Sequence, residues 1–298
     1  MTTPAPLRPG DVVAILSPAS AIDPALVAGA VDALRALGFE PRVMPHACGR
    51  AGSYSASAAD RLADLRAALA DPSVKAIMCS RGGYGAVHLL GQVEPPRRPV
   101  WLIGFSDISA LHALWYHSGI RSVHGSMARH LALFPPSDPA NRAMLSLLTT
   151  GHQPGYEWDA TANAVNRPGC VRGTIVGGNL AVLGGLVGTP LSLLLPDTIL
   201  VIEDIAEPIY KVERILHQLR LADVLPRLRG LVVGRFTDYR PDANHSSMEE
   251  MIADIIAPYG YPVAYGAPFG HFDGNLPFLQ GADVTLTVTP GAAAIAAE

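Results

Sequence analysis

The stretch Val-Trp-Leu-Ile-Gly-Phe-Ser-Asp-Ile-Ser-Ala-Leu-His-Ala-Leu-Trp, residues 100–115, gives the strongest indication of how this chain folds. Residues 100–103 are a short apolar run typical of a buried strand, and apolar residues recur at helical spacing from Ile108 onward. Ser106 and Asp107 therefore lie on a sharp turn from strand to helix, which would expose the Ser106 hydroxyl and the main-chain N–H of Asp107. Two interpretations stay open here: a nucleophile elbow, or a plain helix cap.

The length, composition and charge of the chain limit the classes of protein to which it can belong. A chain of 298 residues that is 49% hydrophobic can form two domains, or one large domain, with an ample core. The net charge of −4 and the lack of a Lys/Arg run argue against nucleic-acid and anionic-membrane partners. Residues 1–11 lack the apolar core of a signal peptide and no segment predicts a transmembrane helix, so we expect a cytoplasmic protein. Cys48, Cys79 and Cys170 fit neither a disulfide framework nor a zinc site.

Alternating strand and helix patterns predict the architecture of the N-terminal half. Apolar runs at 11–18, 40–44 and 74–79 read as strands separated by helices over 24–37 and 58–69, which favours a parallel α/β sheet. The first strand–helix turn lacks G-x-G-x-x-G, so no dinucleotide cofactor is expected. We predict an N-terminal α/β domain over 1–135, a linker over 136–170 with a short helix at 141–148, and a C-terminal domain over 171–298.

The C-terminal half is expected to be a β-rich α+β domain. Apolar runs at 198–204, 231–234, 262–265 and 284–288 predict strands, and helical spacing appears over 208–219 and 249–256. We expect residues 270–278 to be an exposed loop and the chain from Pro290 to be an Ala-rich tail.

Ser80-Arg-Gly-Gly-Tyr-Gly85 directly follows the strand at 74–79. The three glycines allow close backbone approach or a positive φ, which suits a tight turn and equally a loop whose N–H groups hold an anion. A phosphate-binding P-loop does not fit, because no Gly-Lys-Ser/Thr follows.

An elbow serine needs a general base, and the base needs an orienting acid. Glu203 ends an apolar strand and His271 lies in a Gly-rich loop, so they are candidates for these roles. Each also has a simpler interpretation: a solvated Glu203 or one paired with Lys211 or Arg214, and a His271 that is an ordinary surface or core histidine.

The chain resembles the LD-carboxypeptidase family of serine peptidases over nearly its whole length, about residues 10–288. The stretches that carry the resemblance are Gly10-Asp-Val-Val-Ala-Ile-Leu-Ser-Pro-Ala-Ser, Ala76-Ile-Met-Cys-Ser-Arg-Gly-Gly-Tyr-Gly, Leu102-Ile-Gly-Phe-Ser-Asp-Ile-Ser-Ala-Leu, Gly177-Gly-Asn-Leu-Ala-Val-Leu, Glu203-Asp-Ile-Ala-Glu-Pro-Ile-Tyr-Lys-Val-Glu-Arg and Gly270-His271. The resemblance implies an N-terminal flavodoxin- or amidotransferase-like parallel-sheet domain, a β-rich, barrel-like swivelling C-terminal domain, a site between them, and a homodimer.

The resemblance also implies roles for individual residues. Ser106 would be the nucleophile, His271 the base and Glu203 its partner. The N–H groups of Asp107 and of a loop glycine would form the oxyanion hole, with Gly83 preferred over Gly82. No metal and no cofactor is implied.

The resemblance further implies a reaction that releases terminal D-alanine from murein tetrapeptide during cell-wall recycling. A carboxypeptidase must also recognise the terminal carboxylate, for which Arg81 is a candidate; an arginine that only orders the loop is the alternative. Two other functions stay open: a microcin-immunity-type peptidase acting on peptidyl-aminoacyl-adenylates, and a non-enzymatic ligand-binding α/β protein. A serine at the elbow argues against a glutamine-amidotransferase-like reaction.

Overall fold

The computed structural model describes residues 1–160 and 165–298, which form two compact units. The first unit contains residues 1–152 together with 276–280, and the second contains 153–275 together with 281–298. The predicted domain bounds at 135 and 171 stay predictions beside this division. Residues 161–164 of the predicted linker lie outside the described residues.

Strands and helices alternate through the first 152 residues. They are β1 (Val12–Leu16), α1 (Pro24–Ala36), β2 (Glu40–Val43), α2 (Ala58–Ala70), β3 (Val74–Cys79), β4 (Trp101–Gly104), α3 (Ser109–His117), β5 (Ser122–His124), α4 (Ala128–Leu133) and α5 (Pro139–Thr150), with short 3-10 helices at Ala86–Leu89 and Ser106–Ile108. Local signals set several helix starts. The Asp23 side chain accepts the N–H of Ala25 and Pro24 opens α1, while the Ser57 hydroxyl accepts the N–H of Asp60 at the start of α2.

The rest of the chain adds eight strands and three helices among the described residues. They are β6 (Tyr156–Asp159), β7 (Gly169–Asn179), α6 (Leu180–Gly184), β8 (Ile199–Ile205), α7 (Ile209–Leu221), β9 (Gly230–Thr237), α8 (Met248–Ile256), β10 (Val263–Ala264), β11 (Phe278–Gln280), β12 (Asp283–Val288) and β13 (Ala292–Ala297), with a 3-10 helix at Leu225–Arg227.

Two expectations about this half are wrong, the first only in part. The segment 270–278 is a loop up to residue 277, as predicted, but it is exposed only at Asp273 and Gly274, contains the buried Asn275 and runs into β11, where Phe278 is also buried. The Ala-rich tail forms β13, because it pairs with β12 on one side and β6 on the other.

The sheet of the first unit, over the described residues, has the order β11-β5-β4-β3-β1-β2. Its pairs from β5 to β2 are parallel, whereas β11 joins β5 antiparallel. Strands β1 and β4 are buried on both faces and are continuous apolar runs, as expected for a sheet covered by helices. Strand β3 departs from this only at the exposed Lys75, and the edge strand β2 is half-exposed. The order 2-1-3-4-5 reverses between β1 and β3, and ligands bind at the carboxyl ends of the strands at such a reversal.

The second unit has the order β10-β9-β8-β7-β12-β13-β6 among its described strands. The pairs from β10 to β7 are parallel, and those from β7 to β6 are antiparallel. In its strand β8, residues Ile199–Ile202 are wholly buried. The fold class predicted from the sequence, a parallel α/β sheet followed by a second, β-rich mixed part, is confirmed.

Candidate active site

The turn after β4 presents Ser106 in an uncommon backbone conformation. Ser106 has φ +64°, a left-handed value that costs a residue with a side chain about 1 kcal/mol. The strand also approaches the following turn closely, since a Cβ on Gly104 would lie 2.9 Å from the Ile108 side chain. The predicted sharp turn is therefore present, and its half-buried serine lies on a strained backbone.

The glycine loop, residues 80–85 after β3, lies directly against this turn. A Cβ on Gly82 would lie 2.8 Å from the Cβ and 2.9 Å from the Oγ of Ser106, and 3.3 Å from the Asp107 nitrogen. Gly83 has φ +111°, and a Cβ there would collide with Ser20, whose hydroxyl accepts the N–H of Tyr84 at 3.1 Å. Both positions require glycine, so the loop main chain can lie beside the serine.

The Asp107 side chain turns away from the serine and into the protein. It is buried, and its Oδ2 accepts the main-chain N–H of Ala86 at 2.8 Å. Burial raises the pKa of Asp107, while the Ala86 N–H and the charge of Arg61 oppose that shift. Its carboxylate thus has a structural partner, separate from the main-chain N–H that sequence analysis proposed as an oxyanion donor.

Arg81 lies at the start of the glycine loop. Its side chain is half-buried, and Nη1 donates to the Ala21 carbonyl oxygen at 3.4 Å, a long hydrogen bond. Both interpretations from the sequence, a carboxylate-binding arginine and a loop-ordering one, remain predictions.

Glu203 lies near the end of β8 and is wholly buried. The pairing of β8 with β9 shifts by one residue between Ile202 and Asp204, and this bulge falls beside Glu203. A Cβ on the facing Gly234 would lie 3.3 Å from the Glu203 Cβ and 2.5 Å from the Phe269 oxygen. The glycine therefore makes room for the buried glutamate side chain.

The His271 ring pairs with this glutamate. Its Nδ1 lies 2.8 Å from Glu203 Oε2, and because a carboxylate only accepts, Nδ1–H is the donor. Gly270, with φ +128°, lets the loop pass close to Arg235, and its N–H donates to Asn275 Oδ1 at 2.9 Å. The buried Asn275 thus fixes the loop that carries the histidine.

Electrostatics favour the charged form of His271. Burial lowers the pKa of His271, but the hydrogen bond with Glu203 and the charges of Glu203, Asp204 and Asp238 outweigh burial and leave this pKa above the ordinary 6.5. Among the described residues, the second oxygen, Glu203 Oε1, is buried without a hydrogen-bond partner. The carboxylate is therefore well placed to stabilise an imidazolium on His271.

Neighbouring acids are engaged elsewhere. Asp204 accepts hydrogen bonds from the Asn179 side chain and the main-chain N–H groups of Ala181 and Ile205, and burial together with Glu203 raises its pKa to about 6. Lys211, a suggested partner of Glu203, lies 3.5 Å from Glu207 instead. Glu203 is thus the acid that the structure pairs with His271.

Sequence reasoning missed two buried residues of the first unit. Arg61, in α2, donates to three main-chain carbonyl oxygens, and it could have been noticed as a charge on the apolar face that Leu65 and Ala68 share. His112, in α3, donates from Nε2 to the Gly104 oxygen at 2.8 Å, and its Nδ1 lies 2.8 Å from Ser122 Oγ. Burial lowers the pKa of His112 to about 4, which keeps the ring neutral.

Ser106, Asp107, Gly82 and Gly83 are thus brought together in the first unit, and Glu203 with His271 in the second. Over the part of the chain that the structure describes, no group of three or more His, Cys, Asp or Glu side chains could hold a metal ion. No helix there is long and apolar enough to cross a membrane.

Family models match both halves of the chain. The LD-carboxypeptidase N-terminal domain matches residues 13–125, and the LD-carboxypeptidase C-terminal domain matches residues 172–286. The chain is also 33% identical over 272 residues to the murein tetrapeptide carboxypeptidase of Pseudomonas aeruginosa, covering 87% of each protein. This protein belongs to the LD-carboxypeptidase family.

Two solved structures share the fold. The muramoyltetrapeptide carboxypeptidase of Oxalobacter formigenes matches with a TM-score of 0.85 and 24% identity, covering 95% of this chain and 97% of that one. MccF in complex with glutamyl sulfamoyl guanosine matches with a TM-score of 0.88 and 20% identity, covering 99% and 98%. The protein is accordingly a carboxypeptidase, and the family and enzyme class predicted from the sequence are confirmed.

Proposed function

We propose that this protein is a serine LD-carboxypeptidase that releases terminal D-alanine from murein tetrapeptide, leaving the tripeptide. The observation that carries the mechanism is the 2.8 Å hydrogen bond between His271 Nδ1 and the buried Glu203 carboxylate. It leaves Nε2 of a neutral ring as the proton acceptor, the arrangement that a serine nucleophile requires.

In the proposed acylation step, Ser106 Oγ attacks the carbonyl carbon of the scissile amide while its proton passes to His271 Nε2. The oxygen of the tetrahedral intermediate accepts hydrogen bonds from the N–H of Asp107 and from one N–H of the glycine loop, either Gly83 or Gly82. One such donor contributes about 3–4 kcal/mol to transition-state stabilisation. His271 then protonates the leaving amine, and D-alanine departs.

Deacylation follows the same path with water as nucleophile. His271 takes a proton from the water, whose oxygen attacks the acyl carbon. The bond from that carbon to Ser106 Oγ then breaks, His271 returns the proton to Oγ, and the tripeptide leaves. Glu203 holds the ring orientation and stabilises the imidazolium in both steps. No step calls for a metal ion or a cofactor.

The experiment measures, by mass spectrometry, the tripeptide and the released C-terminal residue from three peptides. The tetrapeptide would release D-alanine, its C-terminal amide D-alaninamide, and its all-L analogue L-alanine. We expect release from the tetrapeptide and much slower reaction of the other two, because both lack the terminal carboxylate in its proper place. Equal rates on the amide would contradict a carboxypeptidase. An inert tetrapeptide beside rapid cleavage of a peptidyl-aminoacyl-adenylate would favour the immunity-type activity.

Labelling addresses the proposed nucleophile and the non-enzymatic alternative. A fluorophosphonate should label the wild-type protein at Ser106, shown by mass spectrometry of the modified peptide, and should leave Ser106→Ala unlabelled. An unlabelled wild-type protein would contradict the serine mechanism.

Location and assembly belong to the same proposal. A free murein tetrapeptide generated by recycling is a cytoplasmic substrate, and the family resemblance suggests a homodimer. Cell fractionation and light scattering of the purified protein test these two points.

A further inference from the structure

The end of the glycine loop is held from both sides by opposite charges. The carbonyl oxygen of Gly85 accepts from Arg61 Nη1 at 2.8 Å, and the N–H of the next residue, Ala86, donates to Asp107 Oδ2 at 2.8 Å. These two atoms belong to one peptide group. Its two dipole ends therefore face a guanidinium and a carboxylate, which fixes the orientation of the peptide plane.

Both side chains are committed to this place. Arg61 is 2% exposed and Asp107 is 3% exposed. Arg61 also donates to the Pro18 oxygen at 2.6 Å and the Ala56 oxygen at 3.2 Å, and its guanidinium carbon lies 4.9 Å from the centre of the Tyr54 ring. A buried charge is costly unless hydrogen-bonded and compensated, so these contacts hold the guanidinium in one position.

The backbone itself needs this support. Gly85 has φ +120°, and a Cβ there would lie 2.8 Å from Arg61 Nη1 and 3.0 Å from the Tyr54 ring. The loop thus packs directly on the guanidinium. Asp107 in turn follows Ser106, and its own N–H is a proposed oxyanion donor.

We propose that Arg61 and the Asp107 carboxylate are positioning residues that set the distance between the two halves of the oxyanion hole. This inference rests on the proposed serine mechanism and deepens it. One half is the Asp107 N–H, on the elbow; the other is a glycine N–H of the loop whose last peptide group the two side chains hold. Such donors are effective only when fixed in advance, and a misplacement of about 1 Å can cost about 100-fold in rate.

The test measures acylation with p-nitrophenyl acetate, which needs the nucleophile, the base and the oxyanion hole but no murein recognition. Ser106 Oγ takes the acetyl group, p-nitrophenolate leaves, and the serine proton passes to His271. We expect Arg61→Lys and Asp107→Asn to slow the acylation rate about ten- to hundredfold. On the tetrapeptide, kcat should fall with little change in KM, because the donors act on the transition state.

Two matched variants control for lost stability. Arg98 of the same unit also donates to three main-chain oxygens, those of Ala68, Asp71 and Val74, and Asp64 is a buried carboxylate that accepts from the main-chain N–H and Nδ1 of His46. Arg98→Lys and Asp64→Asn should lower the melting temperature comparably while keeping the acylation rate within about twofold of wild type.

If Arg61→Lys and Asp107→Asn are acylated at rates within twofold of those of Arg98→Lys and Asp64→Asn, the proposal is overturned while the serine mechanism stays intact. If Arg61→Lys does not fold, the comparison of Asp107→Asn with Asp64→Asn decides alone. A wild-type protein that p-nitrophenyl acetate does not acylate would instead refute the serine mechanism, and this inference with it.

Discussion

Asp107 and Glu203 are two buried carboxylates, each beside the end of a parallel strand in its own unit, yet their partners differ. The Asp107 oxygen accepts from a main-chain N–H near a buried arginine, whereas Glu203 accepts from His271, and its second oxygen has no hydrogen-bond partner in the described parts of the chain. A carboxylate held by the backbone fixes structure. One that accepts from an imidazole orients the ring for a proton-transfer step, so the partner rather than the burial distinguishes the proposed roles.

The largest expected effect comes from removing Ser106, the proposed nucleophile on which the roles proposed for both carboxylates depend. Ser106→Ala should lower kcat about 10⁴-fold or more on the tetrapeptide. Its stability should stay close to wild type, because alanine keeps the strain of φ +64°. Ser106→Gly should be equally inactive but raise the free energy of unfolding by about 1 kcal/mol, measured by denaturant titration. Near-normal turnover of either variant would exclude the proposed nucleophile.

Replacing the Glu203 carboxylate with an amide tests its proposed role as the partner of His271. Glu203→Gln should lower kcat about 10³- to 10⁴-fold, because an amide can donate to Nδ1 and so select the wrong tautomer of His271. Asp204→Asn is the matched control, since Asn179 and two main-chain N–H groups hold that side chain, and it should change kcat far less. If the two substitutions lower kcat equally, the hydrogen bond between Glu203 and His271 is not the basis of catalysis.

The smallest expected effect is on the pH profile. Activity requires neutral His271, and the hydrogen bond and charge of Glu203 keep the pKa of His271 above 6.5. The value of kcat/KM should therefore fall as pH drops through a value above 6.5. Glu203→Gln should move this acid limb to lower pH. His112, whose pKa burial lowers to about 4, stays neutral throughout this range and should leave the limb unchanged. An acid limb that does not move in Glu203→Gln would assign the titration to another group.

Local sequence patterns were sufficient to predict the parallel strands, most helices and the sharp turn at Ser106. Strands such as β1 are continuous apolar runs, and caps such as Asp23 with Pro24 mark helix starts within a few residues. The close approach of Gly82 to Ser106 follows from the same glycine pattern that suggested an anion-binding loop.

Features decided by distant partners were missed. The alanines of β13 have little intrinsic preference for a strand, and only pairing with β12 and β6 makes them one. The role of Arg61 depends on carbonyl groups at residues 18, 56 and 85, which no local window brings together. The Glu203–His271 pair spans 68 residues, so spacing could offer candidates but only a three-dimensional structure could show their contact.

The strand β11 also constrains how this chain can be made. Residues 276–280 complete the first unit by pairing with β5, and the Phe278 ring stacks on His124 at 4.6 Å. A ribosome must therefore synthesise most of the second unit before the first has its last strand. A fragment that stops at residue 152 would leave β5 as an open edge, which invites pairing with another chain. Each family domain is one continuous stretch of sequence, whereas the first unit takes its edge strand from the distant residues 276–280.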